Sequence, residues 1–366
     1  MRIDRVRLFH VPLTLVAPLR TAQGDHLTRT AVLVEITADD GTVGWGENVA
    51  PEGSFYTGES REVSVAHMRD VLVPSLVGET DEDWDDDEEP SMPMADHALS
   101  SALADIDTRQ RGIPLSAALG RRDVRFVPVG AVVGLHSTLE ATVAEAVQRA
   151  AEGYPRIKLK IAPARDRDVV AAVRAALPAT VDIHVDANGS YGPADIGHLA
   201  FLDEFGVGLV EQPFPADDLH SHAALSRAVS TPVCLDESVG GIVDAMNAVA
   251  SAACSVINVK PSRVGGFHAA TAILRLCAEN GIDAWVGGML ESGIGRAGCL
   301  ALATHPACTM TADLSASSRY FVSDVTPPFE LENGCLRVPD GPGLGVEPLA
   351  EVLTAPGTVV ETLFER

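Results

Sequence analysis

Five short apolar runs, each closing on a charged side chain, recur at an almost even interval through the middle of this 366-residue chain. Successive closing residues are 26, 25, 25 and 24 positions apart. One strand, one helix and two loops fill such an interval, so the spacing predicts repeated strand–helix units around a buried parallel sheet. The residues that close the runs are Lys160, Asp186, Glu211, Asp236 and Lys260.

The repeated units occupy residues 126–326, where the apolar strands alternate with Ala-rich segments. Seven or eight such units favour closure of the sheet into a barrel. Residues 1–125 begin with strand-like alternation and continue with helical patterns, which predicts a separate α+β capping domain. The tail, residues 327–366, is rich in Pro and Gly and is predicted to return to that first domain. Helices are predicted at residues 141–152, 167–177, 194–205, 216–228, 241–252 and 267–280.

Composition excludes several classes of protein. The formal net charge of −24 argues against binding to nucleic acid or to an anionic membrane surface, since these carry the same sign. No apolar stretch approaches the ~18 to 20 residues of a membrane span, and the first residues lack the apolar core of a signal peptide. We therefore expect a cytoplasmic protein. The six cysteines all follow residue 230 without a C-x-x-C pair, which predicts buried, reduced thiols.

Three of the closing residues are carboxylates, namely Asp186, Glu211 and Asp236. A barrel brings the carboxyl ends of its strands to one rim, so these side chains should converge on one cavity. Carboxylates so close together repel one another unless a cation holds them, and Mg²⁺ suits such a set of oxygen ligands best. In the alternative interpretation, each carboxylate pairs separately with a helix N-terminus or an arginine.

The remaining closing residues are lysines. Lys158 and Lys160 are two positions apart, so in a strand they point to the same side. A neighbouring ammonium lowers the pKa of a lysine toward the range of a working base, which makes Lys160 a candidate base. Lys260 ends a strand on the far side of the carboxylates, so the two lysines should flank a ligand. Bases on both faces suit a reversible proton abstraction beside a carboxylate. In the alternative interpretation, each lysine reaches solvent in a salt bridge.

In their order along the chain, these residues resemble the enolase superfamily, in its muconate-lactonizing subgroup. The resemblance rests on K-x-K at 158–160, D-x-N at 186–188, E-Q-P at 211–213, D-E-S at 236–238 and K-P-x-R-V-G-G at 260–266. It implies an α/β fold, a modified TIM barrel of the (β/α)7β type with an N-terminal α+β capping domain.

The resemblance also assigns roles. It implies that Asp186, Glu211 and Asp236 bind Mg²⁺, with Mn²⁺ as a substitute, and that Lys160 and Lys260 are the acid and base around an enediolate. Lys158 is expected to assist Lys160 and the substrate carboxylate. The mandelate racemase subgroup uses a histidine near the seventh strand, and residues 284–292 contain none.

Finer motifs resemble the branch of o-succinylbenzoate synthases and N-acylamino acid (N-succinylamino acid) racemases. They are residues 12–21, 44–47, 287–296 and 313–317. The resemblance implies a capping loop at Leu19 to Gly24, carrying Arg20, helped by Ser54 to Gly58. Asn188 and Arg263 are expected to be auxiliary or substrate-contacting residues, and Arg263 is found in branch members with racemase activity. Asp96 departs from the branch, in which a lysine is common at that position.

The expected reaction is removal of the proton alpha to a carboxylate, leading to dehydration or to racemisation of an N-acylated amino acid. The expected partner is a small carboxylate substrate, and relatives suggest a homo-oligomer, often an octamer. Alternatives within the family are a muconate-type cycloisomerase and a dipeptide epimerase, although Ser315 replaces the second Asp of the epimerase D-x-D. Alternatives from other classes are a Schiff-base aldolase and a catalytically inactive barrel-fold binding protein. The acidic run at residues 79–89 is predicted to be a solvated loop.

Overall fold

The computed structural model describes residues 1–21, 24–53, 58–78 and 90–366, and no side chain within residues 19–26. The acidic run at 79–89, most of the Ser54 to Gly58 segment and the side chain of Arg20 therefore lie outside the described residues. The same is true of the predicted capping loop, apart from the backbone of its ends.

Fourteen strands occur in the described part of the chain. In order they are β1 (Ile3–Thr21), β2 (Gly24–Ala38), β3 (Val43–Asn48), β4 (Phe126–Pro128), β5 (Ala131–Val133), β6 (Arg156–Lys160), β7 (Asp182–Asp186), β8 (Leu209–Glu211), β9 (Val233–Leu235), β10 (Val256–Val259), β11 (Asp283–Val286), β12 (Leu331–Glu332), β13 (Cys335–Arg337) and β14 (Val359–Glu365).

The α-helices of the described residues are α1 (Arg61–His67), α2 (Val73–Gly78), α3 (Pro93–Gln110), α4 (Leu115–Leu119), α5 (Leu139–Ala151), α6 (Asp166–Ala176), α7 (Ile196–Leu199), α8 (Phe201–Glu204), α9 (Leu219–Ala228), α10 (Ile242–Ala250), α11 (Phe267–Glu279), α12 (Gly293–Leu302) and α13 (Ala350–Leu353). A π-helical turn, Met68–Leu72, joins α1 to α2, and 3-10 turns occupy Pro193–Asp195 and Ser317–Arg319. None of these helices is long and apolar enough to span a membrane.

Seven parallel strands form the central sheet in the order β11-β10-β9-β8-β7-β6-β5. The segment around residues 308–313 closes it, because isolated parallel bridges join Ala284 to Cys308, Gly287 to Asp313, and Ala312 to Val129. This eighth position completes the predicted (β/α)7β barrel.

Apolar and polar side chains alternate along barrel strands such as β6, so each of these strands has two different faces. In β6, Ile157 and Leu159 are fully buried and belong to the main hydrophobic cluster, whereas Arg156, Lys158 and Lys160 occupy the other face. Two polar residues just beyond strand ends, Asn188 and Gln212, have positive φ angles of 43° and 39°. These left-handed residues turn the chain away from the strand direction, so β7 and β8 stop before them.

The cap consists of an antiparallel sheet in the order β14-β1-β2-β3, with α3 packed on it. The two glycines of β3, Gly44 and Gly46, face backbone atoms of α3 so closely that a Cβ at either position would collide with the carbonyl of Ala102 or Ala98. A second hydrophobic cluster fills the space between sheet and helices, with Ile36, Met68 and Leu99 fully buried in it.

Several elements differ from their predicted extents. The alternation at the start of the chain predicts strands at residues 2–12 and 31–38, yet β1 and β2 continue toward each other as one long hairpin. The helix predicted at 194–205 is broken into a 3-10 turn, α7 and α8, with helix-disfavouring Gly197 inside α7. The tail divides its contacts, because β12 and β13 join β4 whereas β14 pairs with β1.

The cysteines form no disulfide within the described residues. Four of them are buried as predicted, but Cys308 and Cys335 are only partly buried. Cys335 lies in β13, a three-residue strand at the surface of the barrel, where burial on both faces is not achieved.

Candidate active site

The closing residues of five adjacent strands meet at one rim of the barrel. Lys160 is paired in register with Asp186, and Asp186 with Glu211. Asp236 directly follows β9, and Lys260 directly follows β10. Because the strands are parallel, all five side chains belong to the carboxyl-terminal end of the barrel.

Lys158 lies at the centre of this group. Its ammonium Nζ is 3.1 Å from Asp186 Oδ2, 3.1 Å from Glu211 Oε2 and 2.6 Å from Asp313 Oδ2. Burial by itself lowers the pKa of Lys158, but Asp313, Glu211 and Asp186 outweigh it and raise the pKa well above the ordinary value. Lys158 is therefore a fixed positive charge.

The other two lysines lie at the two ends of the carboxylate row. Lys160 Nζ donates to Asp186 Oδ2 at 2.7 Å and to Asn188 Oδ1 at 2.6 Å. Lys260 Nζ donates to Asp236 Oδ2 at 2.8 Å. The side chain of Lys160 is 30% exposed and that of Lys260 is 9% exposed, so Lys160 has the more open approach from solvent.

The carboxylates are not electrostatically equivalent. Burial raises the pKa of Glu211 to about 8, helped by Asp186, Asp236 and Asp313 and opposed by Lys158. Burial acts in the same direction on Asp186 and Asp236, but Lys160 holds the pKa of Asp186 below its usual range, and Arg263 and Lys260 do the same for Asp236. Glu211 is thus the carboxyl of the row whose ionised form is least favoured by its surroundings.

Two observations show how this group of residues relates to a metal ion. Within the described residues, no three Asp, Glu, His or Cys side chains are arranged to hold a metal. Lysine and arginine donors contact the carboxylate oxygens of the row. The donor set nevertheless fits a hard cation, since it consists of carboxylate oxygens, and a bound cation would favour the ionised form of Glu211 that burial disfavours. Beside it, the buried Oε2 of Glu237 has no hydrogen-bond partner among those residues.

The auxiliary residues predicted from sequence have different positions. Asn188 bridges Lys160 and Glu237, with its Nδ2 donating to Glu237 Oε1 at 2.8 Å. Arg263 is 4% exposed and donates to Asp236 Oδ1, to Asn258 O at 2.9 Å and to Val239 O at 3.1 Å. Arg263 therefore holds a carboxylate of the row. The side chain of Arg20 is not described.

Sequence reasoning gave no role to Asp313, Arg156 or Asn258, which support the row from below. Arg156 Nη2 donates to Asp313 Oδ1 at 2.9 Å, and Asp313 in turn contacts Lys158. Asn258 Nδ2 donates to Glu211 Oε1 at 3.0 Å. Their positions in the strands could have indicated this role for two of them. Arg156 precedes Lys158 by two positions and Asn258 precedes Lys260 by two, and residues two apart in a strand point to the same side.

The composition contains a further signal. Lys158, Lys160 and Lys260 are the only lysines in the sequence, and every other permanently basic side chain is arginine. All three lysines contact the carboxylate row. Lysine is thus confined to this site.

Comparison with known proteins shows the family of the chain. Residues 3–120 match the mandelate racemase / muconate lactonizing enzyme N-terminal domain, and residues 141–352 match the enolase C-terminal domain-like family. The chain is 40% identical to an o-succinylbenzoate synthase of Geobacillus stearothermophilus, with 95% of this chain and 94% of the relative covered. It is 39% identical to an N-succinylamino acid racemase of an Amycolatopsis species, with 96% and 97% covered.

A solved structure of an enolase superfamily member of unknown function from Enterococcus faecalis superimposes over 100% of both chains, with a TM-score of 0.91 and 34% identity. The cap and the barrel therefore have backbone counterparts along the whole chain. The protein is an enzyme of the enolase superfamily and belongs to its muconate-lactonizing subgroup.

Proposed function

We propose that the protein removes the proton alpha to a substrate carboxylate, as an o-succinylbenzoate synthase that also racemises N-succinylamino acids. The observation that carries this proposal is the placement of Lys160 and Lys260 at opposite ends of one buried carboxylate row. Relatives of both kinds resemble the chain almost equally, at 40% and 39% identity.

The metal expected in this family fits the same row. Asp186, Glu211 and Asp236 would hold a divalent cation, Mg²⁺ with Mn²⁺ as a substitute. When bound, the cation would stabilise the negative charge that a substrate carboxylate gathers as its alpha proton leaves. Asn258 and Lys158, which already contact Glu211, would keep that carboxylate oriented.

The dehydration uses one lysine twice. Lys160, in its neutral form, accepts the alpha proton, and the resulting ammonium then donates a proton to the departing hydroxyl, which leaves as water. The electron pair of the broken C–H bond becomes the new C=C bond. Lys260, opposite, contributes positive charge during this step.

The racemisation uses both lysines. One accepts the alpha proton of an N-succinylamino acid, and the other donates a proton to the opposite face of the same carbon. Asp313 disfavours the dipeptide epimerase alternative, because Arg156 and Lys158 already occupy both of its oxygens. A carboxylate engaged in this way is not available to a substrate ammonium group.

Turnover assays test the proposal directly. The purified protein with Mg²⁺ is given the hydroxycyclohexadiene carboxylate precursor, followed by absorbance, and N-succinylamino acids, followed by optical rotation. We expect both reactions, and loss of both with EDTA. Absence of both reactions in a protein that binds Mg²⁺ would refute the proposal and direct attention to lactones and dipeptides.

A further inference from the structure

The segment Gly287–Ser292 leaves the barrel directly at the candidate active site. It follows β11, and Gly287 forms a bridge with Asp313, the partner of Lys158. Gly287 also lies against the side chain of Asn258, which donates to Glu211. We call this segment the β11 loop. Its conformation therefore affects the surroundings of the carboxylate row.

The β11 loop does not hold its own conformation through regular secondary structure. Leu290, a branched residue, has a φ angle of 62°, in the left-handed region that non-glycine residues disfavour. Met289 N donates to the side chain of Glu291 at 2.6 Å. A strained turn of this kind persists only when neighbouring groups fix it.

One fixing group is Arg29 of β2, in the cap. Its Nη1 donates to Met289 O at 2.7 Å and also to Leu290 O, and its Nη2 donates to Val49 O at 3.1 Å. One planar guanidinium thus joins the cap backbone to two consecutive carbonyls of the loop. Met289 also packs against Val49, Ala50 and Met94.

The second fixing group is Glu47 of β3, also in the cap and 1% exposed. Its carboxylate accepts from Ser292 N at 2.9 Å, Ser292 Oγ at 2.7 Å and Gly295 N at 3.0 Å. These donors lie at the start of α12, where backbone N–H groups lack helical partners. Glu47 therefore holds the end of the loop, whereas Arg29 holds its middle.

We infer that Arg29 and Glu47 are positioning residues, which fix the β11 loop from the cap and so set the geometry of the reaction site in the barrel. Both contacts to the loop are made mainly with its backbone, so they constrain its path independently of its side chains. The effect on catalysis rests on the proposed function, whereas the effect on the loop does not.

Hydrogen–deuterium exchange of the full-length protein tests the loop. In Arg29→Gln we expect amides of Gly287–Gly295 to exchange about tenfold faster than in the unmodified protein. The matched control is Arg7→Gln, which removes an arginine that pairs with Glu35 inside the cap sheet. Unchanged exchange in the loop of Arg29→Gln, or equal acceleration across the cap in both variants, would overturn the inference.

Kinetics test the consequence for catalysis. We expect kcat/KM of Arg29→Gln to fall about tenfold to a hundredfold, and that of Arg7→Gln to stay within about twofold. Arg29→Lys keeps the charge but not the planar fork, so only partial recovery is expected. Full recovery by lysine would show that charge alone matters and would contradict positioning.

Glu47→Gln tests the inference independently if the arginine variants misfold, since glutamine preserves the shape of the side chain and one acceptor oxygen. It should accelerate exchange at Ser292 and Gly295 specifically. If the unmodified protein turns over neither proposed substrate, the proposed function fails, but the exchange results still decide whether Arg29 and Glu47 fix the loop.

Discussion

Lys160 and Lys260 lie at the ends of two strands separated by three others, yet each donates to a carboxylate of the same row, at 2.7 Å to Asp186 and 2.8 Å to Asp236. A substrate bound over the row would therefore have one lysine on each side. This relationship makes the two residues separable by mutation.

Replacement of either lysine should separate proton exchange from racemisation. In Lys260→Ala, we expect racemisation of an N-succinylamino acid to fall at least about a hundredfold, whereas exchange of the alpha proton with D₂O persists for one enantiomer. Lys160→Ala should show the opposite enantiomer preference. Proton NMR in D₂O measures both quantities. Full racemisation by either variant would contradict a two-base site.

Among the lysines, chemical modification should be selective for Lys160. Because Lys158, Lys160 and Lys260 are the only lysines and Lys160 is the most exposed, a small acylating reagent should modify Lys160 before the other two. We expect loss of activity in proportion to that modification, measured by peptide mass spectrometry. Lys160→Arg provides the control, since its labelling at this position should disappear. Labelling of Lys158 ahead of Lys160 would contradict the described burial.

Metal affinity should depend on the three carboxylates. We expect Asp236→Asn and Glu211→Gln to weaken Mg²⁺ binding at least about tenfold, as measured by calorimetry. Asp313→Asn is the matched control, because Asp313 contacts Lys158 but is not a proposed ligand. Equal weakening in all three variants would indicate a general loss of negative charge and not ligation.

Asp96 should destabilise the protein at neutral pH. Burial and the nearby Glu59 raise the pKa of Asp96 from 3.8 to about 6. The carboxyl of Asp96 ionises at lower pH in the unfolded chain than in the folded one. The free energy of unfolding therefore falls as pH rises from about 4 to about 6 and stays lower above that range.

The variant Asp96→Asn isolates this effect. At pH 7 we expect it to be more stable by about 1 kcal/mol, because partial exposure of the carboxyl screens part of the charge penalty. At pH 3.5 the difference should nearly vanish. Urea denaturation at both pH values measures it, and a pH-independent difference would refute the charge explanation.

A side chain at position 46 should lower the free energy of unfolding. A Cβ there would collide with the carbonyl oxygen of Ala98 in α3, so Gly46→Ala must displace the helix from β3. We expect a loss of about 1–3 kcal/mol in the free energy of unfolding. Gly58→Ala is the control, because its Cβ meets no atom within 4 Å in the described structure. Equal stability of the two variants would show that α3 adjusts without cost.

The parts of the site that could be predicted from the sequence are those that depend on the regular repeat of strand–helix units. Lys160, Asp186 and Glu211 close strands of one repeating unit, so spacing alone indicated that they meet. Asp313 and Glu47 were given no role because their partners are remote in sequence. Glu47 binds Ser292, and Asp313 binds Lys158 and Arg156, contacts that only the closed barrel and docked cap create. The length of the β1–β2 hairpin was also missed, since pairing between the strands extends it beyond the apolar alternation.

Strand β14 supplies one edge of the cap sheet from a position after the barrel strands in the chain. It pairs with β1, so the cap sheet lacks one edge until Val359–Glu365 has been synthesised, after every strand of the barrel. During translation, β1 can pair early with β2, but its other edge stays open throughout synthesis of the barrel. The barrel therefore has the opportunity to form first, and β14 is added to the cap sheet after the barrel strands.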